Sequence, residues 1–125
     1  MKLRTGTLIV ALGLLTISSQ AVHSAGKPDF PTKPIRWIVA FPPGGSSDML
    51  GRYVGTKLAE RLGEQVVIDN RGGANGIIGT DIAARAAADG YTLLFVSTSF
   101  VMNAAVRSSL PYDVEKSFDP ISMIG

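Results

Sequence analysis

The sequence predicts an α/β fold, a parallel sheet with flanking helices, from three observations. Apolar runs alternate with amphipathic stretches, as in strand–helix–strand units. The apolar runs have no polar face, which is typical of strands covered on both sides of a parallel sheet. Glycine- and serine-rich segments follow the runs, as expected of strand-to-helix turns. Parallel strands place all of these following loops at one edge of the sheet, where open α/β sheets bind their ligands.

The first predicted strand is the apolar run at residues 35–41. Pro42 and Pro43 end it, because proline cannot donate a hydrogen bond to the neighbouring strand. Gly44 and Gly45 then allow a tight turn. The sequence therefore predicts a short loop between this strand and the helix that follows.

The first predicted helix runs to about Leu62, and Gly63 is suited to end it. Free N–H groups at such a helix start lie at the positive end of the helix dipole, which favours a carboxylate or a phosphate. The candidate N-cap oxygens belong to Ser46, Ser47 and Asp48. The predicted inner face has positions three or four apart, namely Leu50, Tyr53, Val54, Leu58, Arg61 and Leu62.

The second and third strands are predicted at residues 65–69 and 91–96. A second glycine-rich loop at 70–79 leads into a helix predicted from 77 to about 88. Hydroxyl residues follow the third strand, before a short helix predicted from 100 to about 107. The second helix is predicted to direct Ile78, Ile82, Ala83 and Ala86 to one face.

The first 24 residues have the layout of a secretory signal peptide, with a basic start, an apolar run and then small residues. The apolar run, at 8–17, is too short to span a bilayer comfortably. Small residues permit cleavage after Ala21 or after Ser24, and both remain open. The sequence thus predicts a signal peptide at 1–24 and an exported domain at 25–125.

Charge and composition exclude several classes of function. The 12 basic residues include Lys2 and Arg4, and without these two the basic residues equal the 10 acidic ones. A nucleic-acid partner is therefore not expected, because binding to a phosphate backbone needs a basic face. The sequence has no cysteine, and its one histidine, His23, adjoins the predicted cleavage region. Thiolate or histidine metal sites and a Ser-His-Asp triad are not expected in the exported protein.

Two other interpretations remain open. Asp69 ends the second predicted strand, where a dinucleotide-binding fold carries an acidic residue, so a nucleotide-binding enzyme domain is one alternative. The second loop, however, lacks the lysine of a P-loop and the GxGxxG spacing. Ordinary structural roles are the other alternative. Asp48 and residues 97–99 would then be helix-terminus residues, and Arg71 a solvated surface residue.

The residues also resemble those of the periplasmic substrate-binding receptors of tripartite tricarboxylate transporters, the Bug-type receptors. The matching blocks follow one another in the family's order and cover nearly the whole exported chain. They are PIR at 34–36, FPPGGSSD at 41–48, VVIDNR at 66–71, GIIG at 76–79, DGYTL at 89–93, LPYD at 110–113 and FDPI at 118–121. One departure is Asn103-Ala104, where the family usually has Asn-Pro.

The resemblance implies one lobe of a two-lobed periplasmic receptor that closes over small carboxylates and delivers them to a membrane permease. It implies a monomer when full-length, no cofactor and no enzymatic activity. Family members run well over twice this length, so residues 25–125 are expected to be a partial first lobe, with the true terminus beyond Gly125. A truncated fragment that binds no ligand is the remaining alternative.

The resemblance further implies that the loops matching 41–48 and 71–76 face the cleft and hold a carboxylate through backbone amides, hydroxyls and ordered water. This agrees with the anion-binding helix start deduced from the residues alone. The predicted ligand-binding residues are Phe41, Gly44, Gly45, Ser46, Ser47 and Asp48 in the first loop, Gly73, Ala74, Asn75 and Gly76 in the second, and Ser97, Thr98, Ser99 and Asn103 after the third strand.

Overall fold

The computed structural model describes residues 30–124, so the predicted signal peptide and Gly125 lie outside the described residues. Within that range, no helix has the length and apolar character needed to cross a bilayer. In chain order, the elements are β1 (Ile35–Val39), α1 (Ser46–Leu62), β2 (Val66–Asn70), a 3₁₀ turn (Ala74–Gly76), α2 (Ile77–Ala84), β3 (Thr92–Phe95) and α3 (Ser99–Val106).

The three strands form one parallel sheet in the order β2-β1-β3. Ile35 of β1 pairs with Val66 of β2, and Arg36 pairs with Thr92 of β3. Helix α1 contacts β1 and β2, whereas α2 contacts β1 and β3. The predicted parallel sheet with flanking helices is confirmed, and the loops that follow the strands lie at a common edge.

Strand β1 is the centre of the core. Ile38, Val39 and Ala40 are 0% exposed, and Ile35 and Trp37 are also buried. The strand ends two residues earlier than predicted, although the Ala40 N–H still donates to the Phe95 carbonyl at 3.2 Å. Burial on both faces of the strand explains why the apolar run carries no polar face.

Helix α1 contacts the sheet through glycine. A Cβ added to Gly51 would lie 3.2 Å from Val39 Cγ2, and one added to Gly55 would lie 3.2 Å from Ile68 Cδ1. Tyr53, by contrast, is 68% exposed, so its predicted place on the inner face is wrong. Side-chain periodicity missed the true contact face, because glycine adds nothing to an apolar pattern yet brings the helix backbone close to the strands.

Helix α2 is shorter than predicted, since it ends at Ala84 and the predicted Ala86 position lies beyond it. Its buried residues are Gly79 and Thr80, whereas Ile78 is half exposed, which corrects the predicted inner face. A Cβ on Gly79 would lie 2.9 Å from Ala40 Cα. The start of α2 therefore rests directly on the backbone at the end of β1.

An aromatic cluster attaches the segment after α3 to that helix. The rings of Phe100 and Tyr112 are stacked with centroids 5.9 Å apart, and Phe118 packs edge-on against both, at 5.7 and 5.9 Å. The cluster stabilises α3, which places Asn103 in a buried position beside the loop that follows β2.

Candidate functional site

Three loops meet at the carboxyl edge of the sheet: the first loop (41–48), the second loop (71–76) and the third loop (97–99). The Asn70 side chain joins the first two, because its Nδ2 donates to the Phe41 carbonyl at 3.2 Å. A Cβ on Gly72 would lie 2.9 Å from the Pro42 ring, so these loops also touch. The three predicted segments are thus brought to one edge.

The first loop ends in a helix start with free backbone donors. Gly45 is the N-cap residue and no side chain caps the helix, so the predicted capping by Ser46, Ser47 or Asp48 is wrong. The first helical hydrogen bond runs from the Met49 N–H to the Gly45 carbonyl at 3.0 Å. Within residues 30–124 the N–H groups of Ser46, Ser47 and Asp48 donate to no protein group, as at any uncapped helix start.

Asp48 faces back into the first loop and is only 4% exposed. Its carboxylate accepts a hydrogen bond from the Gly44 N–H at 2.9 Å and from Arg52 Nε at 3.1 Å. These bonds, the one from Arg52 first, lower the pKa of Asp48 from 3.8 to about 2. Asp48 is therefore ionised at neutral pH, and Arg52, one helical turn on, neutralises its charge. The other oxygen, Asp48 Oδ1, is buried and accepts no hydrogen bond from residues 30–124, although Arg52 Nε lies 3.0 Å from it.

Asn70 and Arg52 are residues that the sequence interpretation missed. Arg52 Nη2 donates to Asn70 Oδ1 at 3.2 Å, while the Asn70 amide holds the Phe41 carbonyl. The four-residue spacing of Asp48 and Arg52 on one helix was an available signal for their ion pair. The contact with Asn70 joins separate elements, and spacing along the chain gives no sign of it.

The second loop contains an unusual left-handed turn at residues 73–76. Its four consecutive residues have positive φ, at 130°, 47°, 56° and 90°. Ala74 and Asn75 are not glycines, and L residues disfavour this region. Residues 73–75 are exposed, and within 30–124 the N–H groups of Ala74 and Asn75 donate to no protein group. The second loop therefore also presents free donors.

The third loop has mainly internal hydrogen bonds. The Ser97 Oγ accepts from the Ser99 N–H at 3.3 Å and donates to Ser99 Oγ at 3.1 Å. Thr98 is the N-cap residue of α3 and makes no side-chain cap bond. The Ser97 hydroxyl thus has a local contact at the start of α3, as the structural alternative expects, and its contact with a ligand stays a prediction.

Arg71 and Asp69 are engaged with each other at the side of the second loop. Arg71 Nε lies 2.8 Å from Asp69 Oδ1, and Arg36 Nε donates to Asp69 Oδ2 at 2.8 Å. Burial alone would raise the pKa of Asp69, but the bonds from Arg36 and Arg71 outweigh it and keep that pKa below its ordinary value. The acidic residue that the nucleotide alternative needs is thus already occupied by two arginines.

The predicted site residues fall into two groups. Residues 44–46 and 73–75 are exposed, whereas Asp48, Gly76 and Asn103 are buried, and both amide atoms of Asn103 bond to Asn75. Phe41 is half buried, with its ring beside Gly76. Among residues 30–124, no group of three or more His, Cys, Asp or Glu side chains is placed to hold a metal ion. Direct ligand contact by any of these residues stays a prediction.

Comparison with known proteins gives a consistent family match. A family model described as "Tripartite tricarboxylate transporter family receptor" matches residues 50–125. Protein BugT of Bordetella pertussis is 40% identical over 120 residues, covering 94% of this chain and 37% of that protein. A UPF0065 protein from the tcbD-tcbE intergenic region of Pseudomonas sp. strain P51 is 41% identical over 112 residues, 90% of this chain and 32% of its own length. The chain spans about a third of the length of these curated relatives.

Solved structures agree with the sequence matches. The periplasmic binding protein BugD superposes with a TM-score of 0.71 at 37% identity, over 74% of this chain and 31% of BugD. MatC (Rpa3494) from Rhodopseudomonas palustris with bound malate gives 0.67 at 32% identity, over 73% and 31%. Rpa4515 of R. palustris with adipate gives 0.66 at 36% identity, over 70% and 29%.

Proposed function

Because the chain belongs to the receptor family of tripartite tricarboxylate transporters, whose members are periplasmic solute-binding proteins, we propose that it binds a small carboxylate in the periplasm and delivers it to a membrane permease. The described sheet and helices form part of one lobe of the two-lobed fold of these receptors. On this proposal the protein captures and releases its ligand without changing it, and is not an enzyme.

One observation carries the proposal: two neighbouring loops present free backbone N–H groups at the same edge of the sheet. The donors are those of Ser46, Ser47 and Asp48 at the start of α1, and those of Ala74 and Asn75 in the left-handed turn. Backbone N–H groups at a helix start favour an anion. Arg52 neutralises the nearby carboxylate of Asp48, so the edge does not repel a carboxylate ligand.

The predicted site residues then take different roles. The N–H groups of residues 46–48, Ala74 and Asn75 hold one carboxylate group of the ligand, with the Ser46 and Ser47 hydroxyls as additional donors. Asp48 keeps the first loop closed by accepting from the Gly44 N–H. The third loop borders the same edge, and its hydroxyls contact the ligand directly or through ordered water.

Dicarboxylates are the first ligands to test, because the MatC structure holds malate and the Rpa4515 structure holds adipate. The test is isothermal titration of the protein, purified as its host exports it, with a panel of mono-, di- and tricarboxylates. We expect saturable binding of at least one acid and no binding of its neutral diamide. Failure of every acid in the panel would sink the proposal, and binding of ATP or NAD instead would favour the nucleotide alternative.

Location in the periplasm rests on the family and on the leader-like sequence at residues 1–24. We propose that this segment is removed on export, after Ala21 or Ser24, and that residues 25–125 belong to the first lobe. N-terminal sequencing of the protein from a periplasmic extract tests the proposed removal of this segment. A first residue of Val22 or Ala25 supports the proposal, and a retained Met1 contradicts it.

A further inference from the structure

Every carbonyl of the left-handed turn accepts a hydrogen bond from within the protein. The Gly76 N–H donates to the Gly73 carbonyl at 3.0 Å, and the Ile77 N–H donates to that of Ala74. The remaining two carbonyls bond to side chains of other helices. Asn103 Nδ2 donates to the Asn75 carbonyl at 3.0 Å, and Thr80 Oγ1 donates to the Gly76 carbonyl at 2.8 Å.

This pattern leaves N–H groups, and no carbonyl, as the unpaired backbone groups of the turn. A helical turn points its C=O groups one way and its N–H groups the other. The carbonyls point to partners within the protein, whereas the N–H groups of Ala74 and Asn75 donate to no group among residues 30–124. A ligand that approaches this turn therefore meets backbone donors without competing backbone carbonyls.

Asn103 controls this arrangement from a separate element, α3. It is buried, and its two amide atoms bond to one residue, since Asn75 Nδ2 also donates to Asn103 Oδ1 at 3.3 Å. Thr80, the other side-chain donor, lies on α2, which directly continues the turn. Among residues 30–124, Asn103 thus provides the one hydrogen bond to a carbonyl of the turn that comes from outside the turn and α2, and this bond connects the second loop to α3.

We propose that Asn103 is a positioning residue: it holds the left-handed turn from α3 and so aims the Ala74 and Asn75 N–H groups at the ligand, without contacting the ligand itself. The reason is energetic, because L residues disfavour positive φ and the turn relaxes when its carbonyls lose their partners. This inference rests on the proposed function and replaces the predicted ligand contact of Asn103.

The test uses the protein expressed from its natural gene, titrated with malate, or with whichever acid of the panel binds most tightly. We expect the ligand to bind Asn103→Ala about tenfold more weakly, because a hydrogen bond that holds the turn is lost. In two-dimensional NMR spectra the Ala74 and Asn75 amide signals should no longer shift on titration, while those of Ser46 and Ser47 should still shift. Met102→Ala, at an exposed position on the same helix, is the matched control and should behave as the unsubstituted protein.

The outcomes separate this inference from the proposed function. If no loop amide of the unsubstituted protein shifts with any acid, the proposed function fails and this inference fails with it. If Asn103→Ala keeps both its affinity and its Ala74 and Asn75 shifts, only the positioning role is overturned. If the variant does not fold, NOE spectra of the unsubstituted protein with its ligand provide the test. Contacts between ligand protons and the Asn103 Nδ2 protons would overturn the positioning role. Slow exchange of those Nδ2 protons without ligand contacts supports it.

Discussion

The first and second loops present backbone donors at the same edge of the sheet by different physical routes. The first loop uses the start of a right-handed helix, where free N–H groups are an unavoidable consequence of helix geometry. The second loop uses a left-handed turn that L residues disfavour, and its carbonyls need partners from α2 and α3. The donors of the first loop therefore depend on local helix geometry, and those of the second loop depend on tertiary contacts.

This difference determines where the site is sensitive to substitution. Within the first loop, a Cβ on Gly45 would come no closer than 3.8 Å, from the Pro42 carbonyl oxygen, to any residue other than its chain neighbours. Beneath the second loop, a Cβ on Gly79 would lie 2.5 Å from the Arg71 carbonyl oxygen and 2.9 Å from Ala40 Cα. Backbone atoms cannot rotate away as a side chain can. The second loop should therefore tolerate far less change than the first.

The largest effect is expected from Gly79→Ala. The added methyl group has to displace backbone at the end of β1 and in the second loop, and overpacking of this kind costs about 3 kcal/mol. Urea denaturation of the purified protein measures the loss. Gly45→Ala is the matched control, with an expected cost below about 1 kcal/mol because only the N-cap preference changes. Equal costs for the two variants would remove the contrast between the loops.

The sequence predicts the strands well because a buried strand consists mainly of apolar residues. An apolar run without a polar face identifies β1, and β2 and β3 lie within one residue of their predicted bounds. The helix faces are predicted less well, because α1 and α2 contact the sheet through Gly51, Gly55 and Gly79. Periodicity is read from apolar side chains, so it does not detect a helix–sheet contact made at a glycine.

The sequence predicts which loops form the candidate site, but not the contacts that shape these loops. Strand-to-helix glycines indicate the first and second loops, and parallel topology brings these loops together. The contacts that shape them, from Arg52, Asn70 and Thr80, depend on hydrogen bonds seen only in the folded chain. Asn103 illustrates the limit, because the sequence gives its place near the site but not its orientation toward Asn75.

A smaller and pH-dependent effect is expected at the first loop from Asp48→Asn. The pKa of Asp48 is lowered from 3.8 to about 2, so its ion pair and loop bond stabilise the folded protein above pH 3.8 and are lost as the pH falls towards 2. The variant should be less stable than the unsubstituted protein at pH 7, and the difference should shrink over that acid range. Thermal unfolding at a series of pH values measures it.

Other carboxylates with lowered pKa values are present both in Asp48→Asn and in the unsubstituted protein, so their contributions cancel in the stability difference between the two. They are Asp69, Asp89 and Asp113. Glu60→Gln is the matched control, because Glu60 is paired with Lys57 at the exposed surface of the same helix, where ion pairs contribute less than about 1 kcal/mol. A difference for Asp48→Asn that stays constant down to pH 2 would show that its carboxylate does not maintain the first loop.

The smallest expected effect is on stability and comes from backbone conformation. An alanine-to-glycine substitution should change the stability in opposite directions in the left-handed turn and in α1. Ala74 has φ 47° in the left-handed turn, a conformation that costs an L residue about 1 kcal/mol. Ala74→Gly removes that strain but adds freedom to the unfolded chain, for a net stabilisation of about 0.5 kcal/mol. Ala59→Gly, inside the right-handed α1, should instead destabilise by about 1 kcal/mol.

Paired denaturation curves for the two alanine-to-glycine variants measure this sign difference, which is independent of any ligand. A destabilisation in both would mean that the turn at residues 73–76 carries no strain, and that its shape follows from local preference as at the start of α1. Opposite signs would mean that the shape is imposed from outside the turn. The bonds available for this are those of Asn103 and Thr80, so the geometry of the second loop would then depend on the packing of α2 and α3.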